Sequence, residues 1–476
     1  MRSKKNSQNE LVFQVCGDKA ARITLEYFAR YDWISDYLDS HPEILARVHR
    51  DLKKPLAKLG KNSAEGGGCQ FTSDTVLRMV LVKILENTSF RGTVIQIDDS
   101  SRLRAFTRIH NGPMMDPSTL CRLTNAIRTK TWKKINQLLA GAAVEEERID
   151  GDQLRIDTTA VETNIHYPTD SGLLWDSYRV LSRLLRTLRD LLPDLVSGKR
   201  LHSQQAKKLY ANIGRASGKR SKKSKQAKKY AYRRLIGMVQ RLLAYVEQVC
   251  TQVRDDVVRC VELTSDLVTA TDIVQELEHY GALGTFVVDQ ASRRVLHGER
   301  VPNEEKIFSI FEPHTELLIR GKAGKDVEFG HMVSIQQVGS RFIAAYDVFE
   351  KRPAEHTLVD SALQSHETLF GSLPRVFTGD KGFWENKEKM DELLDEIPVV
   401  SIGKKGSRTE EETAREHSGP FKMAQRFRAG VEGSIAFLKS VLGMWRCMNR
   451  GLEHFASTVG ATVFVHNLLI LVRGAG

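Results

Sequence analysis

Cysteine is scarce in this chain, and the few cysteines that occur are far apart. The six of them include no pair in C-x-x-C spacing and form no cluster with histidine. A structural zinc site needs such a cluster, so the sequence argues against one. Scattered thiols are typical of proteins that stay in a reducing cytosol.

Long hydrophobic runs are also lacking. The most apolar stretch, residues 456–472, is shorter than a good spanning helix and contains His466 and Asn467. It predicts a helix that packs on the rest of the protein and no membrane association. The first ten residues are basic but no apolar segment follows them, so no secretory signal is evident.

Negative charge is in deficit. Lys and Arg total 71 against 59 Asp and Glu, which gives a net charge of +12 and a pI near 9.3. This balance favours a polyanionic partner, nucleic acid above all, although a basic protein can also be merely soluble. A length of 476 residues is too great for one ordinary core and predicts two or three domains.

Residues 421–441 are predicted to form an amphipathic helix. Its apolar stripe has helical spacing and consists of Phe427, Val431, Ile435, Leu438 and Leu442. Arg428, Glu432 and Lys439 form a polar line that borders this stripe. The line places a carboxylate at the rim of a core between two cations. The alternative interpretation is an ordinary surface helix with an Arg–Glu pair at i, i+4.

Two aspartates are predicted at the ends of strands. Leu154 and Ile156 alternate with Arg155 and Asp157, the period of a strand with one buried face. A second short strand runs into a glycine-bracketed turn that contains Asp380. Carboxylates just past strand ends in an α/β domain are positioned where ligands usually bind.

These three carboxylates suit hard cations such as Mg²⁺ or Mn²⁺, which take oxygen ligands and keep some waters. Two such ions can activate a water or a 3′-hydroxyl and stabilise the leaving oxygen of a phosphodiester. Because the acids repel one another and lose solvent when brought together, at least one is expected to have a raised pKa without metal.

Three segments of the chain resemble the catalytic blocks of bacterial insertion-sequence DDE transposases, most of all the group catalogued as not yet classified (ISNCY). They are IDTTAVETNIHYPTDS, FTGDKGFW and FRAGVEGSIAFLKS. The resemblance extends over most of the chain. Related families carry a Tyr-two-Arg-three-Glu-six-Lys signature on the helix with the last acid. Arg428, Glu432 and Lys439 match it at the right intervals, whereas Gln425 stands at the Tyr position.

The resemblance implies an α/β, RNase H-like catalytic core, interrupted by a large helical insertion and preceded by an all-α DNA-binding domain. It implies that Asp157, Asp380 and Glu432 hold two Mg²⁺ or Mn²⁺ ions per active site. Arg428 and Lys439 would contact terminal phosphates or hold Glu432. The expected reaction is cleavage and strand transfer at transposon ends.

The implied partners are double-stranded DNA, as terminal inverted repeats and as target, and a second copy of the chain in a paired DNA complex. The expected location is the bacterial cytoplasm, with the protein on the nucleoid when bound to DNA. Two alternatives stay open: a nuclease of the same fold that never joins strands, and a non-catalytic DNA-binding protein.

The predicted layout has five parts. They are a helical DNA-binding domain (1–149), the first part of the core (150–172), a basic helical insertion (173–284), the remainder of the core (285–452) and a C-terminal packing helix (453–476). The short N-terminal helices permit a helix-turn-helix-like module, in which Arg122 would contact phosphate. A solvated basic face is the alternative for that arginine.

The join within the insertion, residues 198–234, is densely basic with interleaved tyrosines. We predict a clamp for the DNA backbone, although such runs are often only solvated. The residues assigned to it are Lys207, Lys208, Lys219, Arg220, Lys222 and Lys223. Phosphate contacts of this kind carry no sequence specificity.

The rest of the core is predicted from alternation and turn signals. Residues 331–338 and 341–349 indicate a hairpin, and 398–402 a further strand. Residues 285–288 fit either a short strand or a helix end. Residues 403–419 are predicted to be a mobile polar loop over the site, where Lys404, Lys405 and Arg408 would contact DNA or simply be solvated.

Overall fold

A computed structural model describes residues 21–53, 71–193, 196, 199–218, 221–259, 265–322 and 325–474. The chain divides into two compact units. The first joins Met1–Asn164 to Gly330–Gly476, and the second is the contiguous segment Ile165–Phe329. The predicted insertion, 173–284, lies inside the second unit, which is longer at both ends.

The described residues contain both helices and strands, so the predicted mixed α/β class is confirmed. The strands are β1 (Gln153–Thr163), β2 (Glu316–Lys322), β3 (Lys325–Val338), β4 (Ile343–Val348), β5 (Val376–Thr378), β6 (Val399–Ser401) and β7 (Arg446–Cys447). The α-helices up to residue 191 are α1 (Arg22–Ser40), α2 (Pro42–Leu52), α3 (Ser73–Leu85), α4 (Phe90–Asp99), α5 (Ser101–Phe106), α6 (Pro117–Ala126), α7 (Thr129–Glu145) and α8 (Asp170–Leu191). The remaining ones are α9 (Ser203–Ser217), α10 (Lys222–Arg259), α11 (Ser265–Ala291), α12 (Val359–Phe370), α13 (Lys387–Glu396), α14 (Glu410–His417), α15 (Gly419–Ser440) and α16 (Leu452–Arg473).

In the first unit, β1 is the central strand. β3 pairs antiparallel to one edge of β1, and β4 pairs antiparallel to β3, which confirms the predicted hairpin. β5 runs parallel to the other edge of β1, and β6 runs parallel to β5. The order across this part of the sheet is therefore β4–β3–β1–β5–β6.

The alternation of β1 sorts its side chains onto two layers. Leu154 and Ile156 are fully buried in a cluster with Phe377, Leu363 and Met390, so α12 and α13 cover that face. Arg155 points to the other face, where it bonds to the backbone of α15. Because side chains alternate along a strand, Asp157 lies on the α15 side as well.

Two of the N-terminal helices begin at Thr or Asp, residue types that commonly cap helices. Thr72 caps α3 by accepting a hydrogen bond from the amide of Thr75, and Asp116 caps α6 by accepting one from Ser118. Such caps satisfy backbone N–H groups that have no partner inside the helix. Nearly every residue of α3 is buried, so this helix lies inside the core.

The predicted C-terminal packing helix is confirmed as α16. It is long and apolar enough to cross a membrane by length and composition, but 83% of its most apolar window is buried within the protein. Asn467 holds it to β4, accepting from the amide of Ile343 and donating to its carbonyl, each at 2.9 Å. Asn136 of α7 donates to the carbonyl of Gly460 at 3.0 Å. These contacts are those of a core helix.

The second unit is a helical bundle with its own apolar core, as the leucine spacing predicted. α8, α9, α10 and α11 pack around buried leucines and valines such as Leu181, Leu235 and Val239. Residues 285–288, for which a strand was one interpretation, belong to α11.

The predicted loop over 403–419 is wrong in its second half, which forms α14. Thr409 accepts from the amide of Glu412 at 3.2 Å, and Glu412 accepts from the amide of Thr409 at 2.8 Å. This reciprocal capping box is readable in the sequence as Thr-x-x-Glu. Lys404 and Arg408 pair with acids of this helix at 2.8 Å, so their charges are already neutralised.

Candidate active site around Asp157 and Asp380

The register of two parallel strands brings Asp157 and Asp380 to the same level of the sheet. Arg155 of β1 is aligned with Thr378 of β5, the last residue of that strand. Each aspartate follows its aligned residue by two positions. The prediction that Asp157 stands at a strand end is wrong for β1 itself, which continues to Thr163, but it is correct for the edge shared with β5.

Asp380 is fixed by the turn that follows β5. Its carboxylate accepts a hydrogen bond from the amide of Gly382 at 2.6 Å and caps a short 3-10 turn, Lys381–Phe383. The glycine bracket noted in the sequence thus holds one carboxylate oxygen of Asp380 by the backbone.

The pKa of Asp157 is raised above its ordinary value. Its pKa is raised to about 6, mainly by burial and in addition by the nearby carboxylates of Asp380 and Glu355. A hydrogen bond from the amide of Thr158, at 2.7 Å, and the charge of Arg428 act in the opposite direction. Desolvation and like charge thus both disfavour the ionised form of Asp157.

Glu355 is a third carboxylate at this site that the sequence analysis missed. It begins a 3-10 turn after β4, and its Oε1 accepts from the hydroxyl of Thr158 at 2.6 Å. Its Oε2 lies against the Cα of Gly382, close to the carboxylate of Asp380. The only signal in the sequence is an acid shortly after a predicted strand, which many residues share.

Arg428 connects α15 to the acid pair. Its charge acts on Asp157, and its Nε donates to the side chain of Gln425 at 3.0 Å. Gln425 in turn donates to the backbone carbonyl of Ser401 at 2.8 Å, at the end of β6. Gln425 therefore positions Arg428 against the sheet.

Glu432 lies one helical turn beyond Arg428 on α15 and is exposed. Lys439 is partly buried near the end of the same helix. Within the described ranges, no group of three or more His, Cys, Asp and Glu side chains is arranged to hold a metal ion. The structure thus brings Asp157, Asp380 and Arg428 together, and the charged groups that act on Asp157 are Asp380, Arg428 and Glu355.

Arg155 determines how α15 crosses β1. It is 3% exposed, and its guanidinium donates to the side chain of Gln337 on β3 and to the carbonyl of Phe427 on α15. Burial lowers its pKa to about 10. The guanidinium also lies 4.4 Å from the centre of the Phe427 ring. The glycine at position 430 provides the space for this guanidinium, since a Cβ there would lie 2.5 Å from Nη1 of Arg155.

The predicted clamp residues Lys207, Lys208, Lys222 and Lys223 are all exposed on α9 and α10. Lys219 and Arg220 fall outside the described residues. Arg122 is exposed on α6 and donates to the hydroxyl of Thr119 at 3.0 Å. The exposure of these side chains is compatible with either contact to DNA or solvation.

The acid pair fits part of a divalent cation site. Asp157 and Asp380 supply oxygen donors of the kind that Mg²⁺ and Mn²⁺ prefer. The raised pKa of Asp157 marks a place where added positive charge would be stabilising. Glu355 is close enough to Asp157 to raise its pKa. Glu432 is the third metal ligand that the sequence predicts.

Comparison with known proteins adds no relative: no family model, curated protein or solved structure matches this chain.

Replacing Arg428 with methionine is expected to raise the pKa of Asp157 above its value of about 6, because the one cation that lowers it is removed. The carboxyl resonance of Asp157 should then titrate at higher pH than in the wild-type protein. An unchanged titration would show that Arg428 does not act on this carboxylate. Arg426→Met, an exposed neighbour on the same helix, is the matched control.

Proposed function

We propose that this protein is a DDE-type transposase, which binds the ends of a mobile DNA element and catalyses metal-dependent strand cleavage and strand transfer. The observation that carries the proposal is the pair of aspartates set level on adjacent parallel strands, with Arg428 of α15 facing them. A buried acid with a raised pKa beside a second carboxylate, such as Asp157, is a frequent mark of a catalytic site.

The strand arrangement supports an RNase H-like core for this chain. The hypothesis requires a first strand with Asp157, an antiparallel hairpin, a strand that leads to Asp380 and a further parallel strand. These are β1, β3 with β4, β5 and β6, and they share one sheet. The helix that carries Glu432 packs on the same sheet through Arg155.

The residues of the site have separate tasks in this proposal. Asp157, Asp380 and Glu432 would hold two Mg²⁺ or Mn²⁺ ions. The chemistry that such ions supply is a nucleophile of lowered pKa and charge stabilisation at the leaving oxygen. Arg428 would hold a phosphate of the DNA end, oriented by Gln425, and Lys439 would support the same helix. Two protomers would act together, one on each DNA end, in the cytoplasm.

The test is cutting of a supercoiled plasmid that carries the DNA flanking the protein's gene, with Mg²⁺ or with EDTA. Metal-dependent cutting at the ends, followed by joining to a second DNA, is the expected result. Cutting without preference for the ends would favour a nuclease. Tight binding with no metal-dependent cutting would favour a non-catalytic DNA-binding protein.

Glu432 and Glu355 are both candidates for the third metal ligand beside the aspartates. Replacing each in turn with glutamine distinguishes them. We expect Glu432→Gln to abolish cutting, because it removes a metal ligand. Glu355→Gln is expected to reduce cutting by about 10- to 100-fold, the usual cost of losing a residue that supports a ligand. The reverse ranking would make Glu355 the third ligand and would exclude Glu432 from that role. Glu410→Gln, exposed on α14, is the control.

If the basic join is a backbone clamp, neutralising it should weaken binding to all DNA sequences alike. Each lysine that contacts a phosphate contributes about 0.9 to the slope of log affinity against log salt. The variant with Lys207, Lys208, Lys222 and Lys223 changed to Gln should therefore show a flatter slope in a salt titration. A slope equal to wild type would assign these lysines to solvent.

A further inference from the structure

The second unit contains a cavity of about 580 Å³, whose rim includes cations from the two ends of the basic join that are not among the residues assigned to the backbone clamp. It opens between α8, α10 and the segment before α9. Its floor is apolar and aromatic, built from buried side chains: Tyr178, Met238, Leu242 and Tyr245. Its rim is cationic and exposed, built from Lys199, Arg200, Arg233, Arg234 and Arg241.

The part of the chain that the structure describes supplies no counter-charge to this rim. None of the described residues that line the cavity is acidic. Among the residues that the structure describes, none of the five rim cations forms an ion pair with a carboxylate, although elsewhere in this unit Arg179, Arg254 and Arg293 all do. Lys199 instead lies 4.7 Å from the centre of the Tyr245 ring. Cations gathered without counter-charge repel one another, so an anion of several charges would stabilise them.

Gly237 keeps the cavity open. Arg233, Gly237, Arg241 and Tyr245 recur every four residues and so lie on one face of α10. The glycine leaves a gap in that row above the floor. A Cβ there would have a single neighbour within 4 Å, Nη1 of Arg241 at 3.5 Å. The backbone would therefore accept a side chain at this position, and the space that the side chain took would be that of the cavity.

Size and lining together narrow the class of ligand. Pockets for small molecules span about 300–1,000 Å³, so this one is too large for inorganic phosphate alone. Five cations can neutralise more than one phosphate group. A guanidinium group can donate two parallel hydrogen bonds to two oxygens of one phosphate. Tyrosine rings and aliphatic side chains offer packing surface for a planar base or a sugar.

We propose that this cavity is a nucleotide-binding site, with phosphates on the arginine rim and the base or sugar on the tyrosine floor. The nucleotide is either free in solution or one unpaired residue of a DNA strand, since the chemistry of both is the same. The site is independent of the chemistry at Asp157, because every residue that lines it belongs to the second unit.

The test uses the full-length protein and three probes: a fluorescent single-stranded oligonucleotide, the duplex of the same sequence, and dATP. Gly237→Met fills the cavity and keeps every charge. Gly214→Met, on α9 with nothing within 4 Å of its Cβ, is the matched control. We expect the first variant to weaken binding of the single strand or of dATP by about 5- to 100-fold, the range for loss of one stacked base. The control should bind like wild type.

The probes identify the source of the nucleotide. Saturable binding of dATP that Gly237→Met abolishes means a free nucleotide. Binding of the single strand alone, lost in the same variant, means a nucleotide of a strand. Equal affinities of Gly237→Met and wild type for all three probes would overturn the proposal, as would a wild-type protein that binds only the duplex. Arg241→Gln gives a second reading if the methionine variant folds poorly, and it should show the same loss.

Discussion

Asparagine at position 157 is expected to end metal-dependent cutting and, at the same time, to stabilise the protein at neutral pH. The loss of rate should be on the order of 10⁴-fold, the scale seen when one member of a catalytic group that acts as a unit is removed. The gain in stability has a separate origin in the electrostatics of the buried carboxyl.

Burial and neighbouring carboxylates raise the pKa of Asp157 from the ordinary 3.8 to about 6. The folded protein therefore binds the proton more tightly than the unfolded chain does. Stability from this group is fully present below pH 3.8 and is lost as the pH rises through 6. The difference corresponds to roughly 3 kcal/mol at most. Asparagine avoids this cost and can still accept the hydrogen bond from the amide of Thr158.

Thermal or denaturant unfolding in EDTA, at pH 4 and at pH 8, measures this effect. Asp157→Asn should unfold at a higher midpoint than wild type at pH 8 and at nearly the same midpoint at pH 4. A variant that loses both activity and stability at pH 8 would mean that Asp157 supports the fold and is not held in place for chemistry. Asp152→Asn, exposed just before the same strand, should change neither property.

Alanine at position 430 is the second substitution with a large expected effect. Its Cβ would lie 2.5 Å from Nη1 of Arg155, so the guanidinium or α15 must move. Overpacking of this kind costs about 1–3 kcal/mol. The helix that carries Arg428 and Glu432 would also shift against the aspartates, and a displacement near 1 Å can cost about 10²-fold in rate.

Gly433→Ala, on the same helix, is the matched control for Gly430→Ala. Nothing lies within 4 Å of a Cβ at position 433, so the better helix former should stabilise by about 0.5–1 kcal/mol. Opposite signs for the two alanines in a denaturant melt are therefore expected. Equal effects would show that Arg155 does not fix the position of α15. Combining Gly430→Ala with Arg155→Met should cost less than the sum of the two, because the methionine removes the atom that the alanine meets.

The sequence predicted those features that depend on local spacing. Helix α15, strand β1, the β3–β4 hairpin and the caps at Thr72 and Asp116 follow from periods and cap residues within about a dozen positions. These same patterns placed Asp157 and Asp380 next to strands that proved to be neighbours, so half of the candidate site was accessible without coordinates.

Other features depend on contacts between distant parts of the chain, and the sequence did not reveal them. Glu355 meets Thr158 across 197 positions, and no local pattern marks that contact. The role of Gln425 could not be inferred from the sequence, because it depends on a hydrogen bond to Ser401 on β6. The second unit extends to Phe329, beyond the predicted end of the insertion at 284, because α11 continues to Ala291 and the residues after it also belong to this unit. Helix α14 was predictable from its capping box, but the polar composition of the segment favoured a loop.

Because α16 packs in the first unit but is made last, it also determines the order in which the two units can fold during synthesis. The second unit is contiguous and can fold as soon as it has been made, whereas the first unit needs Asn467 to complete its contacts with β4. Synthesis on the ribosome proceeds at about 5–20 residues per second, so the end of α16 follows Gly330 by roughly 7–30 seconds. In the later part of that interval, once residue 380 has been made, Asp157 and Asp380 are both present while the contacts of α16 with the first unit are still missing. A messenger truncated before α16 would therefore yield a helical bundle joined to an incomplete first unit.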